Sequence, residues 1–150
     1  MSNAADIAFS DAEVRALRDI AGTMIPADAT LGVPGADDPA IMADIVKSLG
    51  RDLPDVRAAV AAVGAKANGD FASLDVDARE KLLSEHIASG GAASALARVI
   101  LAAYYRDDRV LISLGMEPRP PFPKGHVVEQ GDWSLLDPVR KRAPFWRKDR

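Results

Sequence analysis

From Ser10 to Gly115 the chain repeats one device: a capping residue, then a stripe of apolar side chains at helical spacing, then a glycine or proline that stops it. Such punctuation permits helices of a few turns and little else. Ser10 with Glu13 three residues later reads as a capping box, in which hydroxyl and carboxylate each satisfy a free backbone N–H. Val14, Leu17, Ala21 and Met24 follow on one face until Pro26 ends the run. A loop over 26–38, containing Gly32, Pro34 and Gly35, leads to Asp38 as N-cap and Pro39 as first helical residue. Ile41, Met42, Ile45, Val46 and Leu49 form the second stripe, stopped by Gly50. A third helix is predicted from about Leu53-Pro54, carrying Val56, Val60 and Val63 and ending in Asn68-Gly69. The fourth starts at Asp75 and buries Leu82, Leu83 and Ile87 before Gly90-Gly91, with Phe71 and Leu74 just ahead of it. A fifth from Ala92 presents Leu96, Val99, Ile100 and Ala103, and a short sixth, capped by Asp107 or Asp108, holds Val110, Leu111 and Leu114 up to Gly115. The best strand candidate, Val127-Val128, is too short to compete.

The fold predicted is therefore all-α: a bundle of five to six short helices over residues 9–115, with 1–8 as a flexible N-terminus and 116–150 as an extended C-terminal docking arm. A hydrophobic content of 48% with aromatics at only 5% suits closely packed helices rich in alanine. The arm is different in kind. From Pro118 onward it holds six of the ten prolines and both tryptophans. Proline fixes φ and removes a backbone donor, so Pro118-Arg119-Pro120-Pro121-Phe122-Pro123 is predicted to run extended. Large apolar side chains strung along such a strap resemble interface anchors, which makes Tyr105, Pro121, Phe122, Pro123, Trp133, Leu135, Leu136, Phe145 and Trp146 the candidate partner-binding residues. Of the adjacent tyrosines, Tyr104 is expected inward and Tyr105 outward, because neighbours on a helix point about 100° apart.

The chemical inventory is short. Without cysteine there is no disulfide, thiolate nucleophile or thiolate metal site. His86 is expected at the core edge or the surface with no second group placed for acid/base work, and His126 in an exposed loop. Asp37-Asp38 and Asp107-Asp108 fall at helix starts, so capping accounts for both pairs. Gly90-Gly91 lacks the third glycine and preceding strand of a dinucleotide fingerprint, and Pro34-Gly35 is read as a turn in which Gly35 takes positive φ. No catalytic, cofactor-binding or metal-binding residue is assigned. Residues 1–115 carry 11 basic and 17 acidic side chains, against 8 and 5 in 116–150, so an acidic body precedes a basic tail. No apolar run approaches the roughly 20 residues that span a bilayer, and the N-terminal residues show no export signal.

Three segments resemble the gluconate 2-dehydrogenase small-subunit (subunit 3) family. They are Leu17-Arg18-Asp19-Ile20-Ala21-Gly22-Thr23-Met24-Ile25-Pro26-Ala27-Asp28 with Pro34-Gly35-Ala36-Asp37; Phe71 and Leu74 ahead of Leu82-Leu83; and Tyr104-Tyr105 followed by Leu114-Gly115. The resemblance implies an accessory subunit without its own redox centre. Its partner would be a large FAD-dependent dehydrogenase of the glucose–methanol–choline type, acting on a sugar, sugar acid or related alcohol, with a cytochrome c as a further partner. FAD is then expected on the partner and no cofactor on this chain. Members commonly carry a twin-arginine signal, absent before Ser10 here, so the expected location is cytoplasmic, or periplasmic by co-export with a signal-bearing partner. Two other classes compete. A nucleic-acid module would use Arg140, Lys141, Arg142, Arg147 and Lys148 with Trp146 as a stacking platform, but the acidic body repels phosphate. A stand-alone enzyme would need the catalytic groups that the sequence does not offer.

Overall fold

The computed structural model describes residues 8–118 and 130–143. Among these the chain is all-α and no strand forms. Its helices are α1 (Asp11–Met24), α2 (Pro39–Ser48), α3 (Leu53–Lys66), α4 (Val76–Ala88), α5 (Ala92–Tyr104), α6 (Asp108–Ser113) and α7 (Asp137–Arg140), with 3-10 turns at Gly50–Asp52, Phe71–Ser73 and Trp133–Leu136. The chain divides into two compact units, Met1–Pro118 and Arg119–Arg150.

In the first unit α5 is the central helix, packed against α2, α3 and α4, while α1 lies on α3 and α4. The reason is its composition. Ala93, Ala95, Leu96, Val99, Ile100, Ala103 and Tyr104 are all buried, and the alanines let neighbouring helices approach closely. Leu17 and Ile20 of α1, Ile41 and Ile45 of α2, Val56 and Val63 of α3, and Val110 of α6 complete the fully buried set. Removing each such side chain from water contributes roughly 1.5–3 kcal/mol.

The predicted starts are made by the predicted chemistry. The Ser10 hydroxyl accepts from Glu13 N–H while the Glu13 carboxylate accepts from Ser10 N–H at 2.7 Å. Asp38, Asp75 and Asp107 each cap the helix that follows them. Arg57 fastens the N-terminal segment to α3: its Nε donates to Glu13 at 2.6 Å, its Nη2 to the Ala8 carbonyl at 2.6 Å, and its guanidinium lies 5.4 Å from the Phe9 ring centre.

Four expectations need correction. Ile20, outside the stripe read for α1, is buried there, whereas Val14 and Met24 are half-buried. On α4 the deep positions are Leu83 and His86, with Leu82 and Ile87 only half-buried. Leu114 falls beyond the end of α6 and is 56% exposed. Residues 133–140 are helical where an extended strap was expected: Asp132 caps the turn by accepting from Ser134 N–H and hydroxyl, and Pro138 occupies the first turn of α7, where a missing donor costs nothing. Val127-Val128 and Pro120–Pro123 lie outside the described residues. Among the described residues no single helix is long and apolar enough to cross a membrane.

Candidate docking surface

The loop after α1 is built by short-range bonds. The Asp28 carboxylate accepts from Thr30 N–H at 2.7 Å and Leu31 N–H at 3.1 Å, and the Asp28 and Val33 backbones exchange two bonds across the turn. Gly32 sits at φ 67, which an L side chain resists. These constraints hold Leu31 at the tip, 68% exposed. The expected positive φ at Gly35 is not found. Gly35 is required for space instead, since a Cβ there would collide with the Asp37 carboxylate and meet Ala27 N at 2.9 Å. A Cβ on Gly22 would meet the same carboxylate carbon at 3.0 Å. Asp37 therefore lies over two glycines, and of the pair Asp37-Asp38 only Asp38 is a cap.

The loop, the end of α5 and the start of α6 meet around Tyr104. Burial, chiefly, and the nearby Tyr105, Asp107 and Asp28 raise the pKa of its phenol. Tyr104 is buried as expected, and Tyr105 meets it edge to face at 5.3 Å while remaining 52% exposed. Arg109 of α6 bridges the two caps, 2.9 Å from Asp38 and 2.8 Å from Asp107. Its hydrogen bonds are the main reason both carboxyls titrate below their ordinary value. One guanidinium thus ties the start of α2 to the start of α6. Around this fixed corner Ile112, Leu114 and Met116 are each more than half exposed. Exposed large apolar side chains held on a rigid support are the raw material of a protein interface.

A groove runs between α1 and α4. One hollow of about 310 Å³ is lined by Asp19, Gly22, Thr23, Pro26, Ala27, Asp37, Val76, Arg79 and Glu80. A second of about 300 Å³ continues past Met24, Leu83, Ser84 and Ile87. Its walls offer carboxylates and one guanidinium, whose Nε is engaged by the Leu74 carbonyl. No group of three or more potential ligands converges on a metal position among the described residues.

The candidate anchors fall in three places. Tyr105 stands at the exposed end of α5. Trp133, Leu135 and Leu136 lie in the second unit, 61%, 74% and 42% exposed, joined by Val139 at 55%. Pro121, Phe122, Pro123, Phe145 and Trp146 lie outside the described residues. Leu31, Ile112 and Met116 escaped sequence reasoning. The Asp28-x-Thr30 pair with Gly32 signals the turn that presents Leu31; Ile112 gave no signal, because a helix of six residues is too short to fix which face packs. No family model matches the chain, and no curated protein or solved structure matches it.

Proposed function

We propose that this chain is a non-catalytic accessory subunit that binds and stabilises a large FAD-dependent dehydrogenase of the glucose–methanol–choline type. The observation that carries the docking role is the presence, in both units, of large apolar side chains turned outward on capped, hydrogen-bonded supports: Tyr105 and Ile112 in the first, Trp133 and Leu135 in the second. Their exposure has a solvation cost that association with an apolar partner surface would relieve. The partner's identity rests on the ordered landmarks from Leu17 to Leu114-Gly115. FAD belongs to the partner, and the substrate pocket with it.

The test is recovery of the partner. The tagged full chain, drawn from an extract of its source, should bring down a large protein with a flavin absorption spectrum, and Trp133→Asp with Leu135→Asp should reduce that recovery at least tenfold. Recovery of no flavoprotein by the folded chain would contradict the proposal.

A further inference from the structure

His86 of α4 is more than nine-tenths buried, and its Nε2 has no hydrogen-bond partner among the described residues. In either neutral tautomer one ring atom remains unsatisfied. In the imidazolium both nitrogens must donate, so protonation would leave an N–H⁺ at buried Nε2 with no acceptor. The charge that bears on it comes from Lys66, at the end of α3, and has the wrong sign to help. From α5 the one charged side chain is Arg98, engaged with Asp52. From α1, Asp19 faces the groove it shares with Glu80 of α4. Glu85 and Lys81, also on α4, are exposed. None of these gives Nε2 an acceptor.

The helix that carries His86 is lightly buried and ends at a glycine corner. Only Leu83 and His86 of its thirteen residues are buried, against seven on α5. It joins α5 through Gly90 and Gly91, both at positive φ (75 and 61), where the chain turns by 114°. Two consecutive glycines leave that corner with the least steric resistance to rotation.

We infer that α4 is an acid-released flap: protonation of His86 detaches Val76–Ala88 from α1, α3 and α5 about the Gly90-Gly91 corner while the rest of the bundle stays folded. Released, α4 uncovers the faces of α1, α3 and α5 that it packs on as an acid-dependent surface. Burial, with Lys66 second, lowers the folded pKa of His86 from its ordinary 6.5. The attached state is therefore favoured fully above that value and loses ground as the pH falls below it.

Amide hydrogen exchange on the full chain at pH 7.5 and 5.5, corrected for intrinsic rates, tests this. The opening equilibrium of α4 amides should rise, by up to about tenfold, the limit set by an open-state histidine of pKa near 6.5 that binds a proton more readily than the closed state. Amides of α2 and α5 should not follow, and His86→Leu should abolish the rise. If that variant does not fold, NMR titration of the wild-type imidazoles decides, with His126→Gln assigning the two. A His86 that titrates at its ordinary pH with α4 protection unchanged would overturn the inference, as would an equal rise in every helix or a rise that survives in His86→Leu.

Discussion

Gly35, Gly32 and Gly64 show how one residue type meets three different demands. Gly35 leaves room for the Asp37 carboxylate and the Ala27 amide, Gly32 takes a backbone conformation that side chains resist, and Gly64 stands on α3 with nothing within 4 Å of a would-be Cβ. Gly35→Ala should therefore destabilise by on the order of 1–3 kcal/mol, the usual cost of overpacking. Asp37→Ala in the same chain should recover part of that loss. Gly64→Ala should have the opposite sign, stabilising by about 0.5–1 kcal/mol through lower unfolded-state entropy. Urea denaturation measures all three, and equal effects at Gly35 and Gly64 would contradict the steric account. Arg109 makes the stability of this corner depend on pH. Because its hydrogen bonds hold Asp38 and Asp107 below their ordinary carboxyl value, their contribution is present above about pH 4 and is lost as pH falls through the folded pKa. Arg109→Gln should then destabilise the protein at pH 7 by more than at pH 3. A gap between variant and wild type that is constant over that range would show the latch to be electrostatically idle.

Elements were legible where their causes are local. Ser10 with Glu13, Asp38 with Pro39, and Asp75 mark helix starts through bonds that close within four residues, so a linear sequence displays them. Ser10→Ala should cost about 1 kcal/mol, typical of a lost N-cap, and should speed amide exchange in the first turn of α1 while leaving its last turn unchanged. Unchanged exchange in that first turn would mean that Arg57, gripping Glu13 and Ala8, holds it without the cap. What depends on packing was not legible. His86 lies on α4 near Leu82, Leu83 and Ile87, yet its polar side chain suggested an edge position; only the packing of neighbouring helices against α4 decides that it goes under. The turn over 133–140 had its signals, Asp132 and Pro138, but they were outweighed by prolines and aromatics read as an extended strap. Tyr104 and Tyr105 were sorted correctly because a helix sends adjacent residues in different directions.

Among the described residues, the buried core is drawn from residues between Leu17 and Val110. A chain ending at Pro118 should therefore keep the helical circular dichroism of the first unit and unfold cooperatively. Under the proposed function the first unit supplies the folded core, and exposed apolar side chains of both units serve docking. The measurement that bears on this most directly is flavoprotein recovery by three tagged forms of the chain under identical conditions: full length, residues 1–118, and full length with Tyr105→Asp. The full chain should recover a flavin-bearing partner, and the other two, shown to be folded by circular dichroism, should recover at least tenfold less. Equal recovery by all three would contradict docking through these side chains, and recovery by none would contradict the accessory-subunit proposal itself.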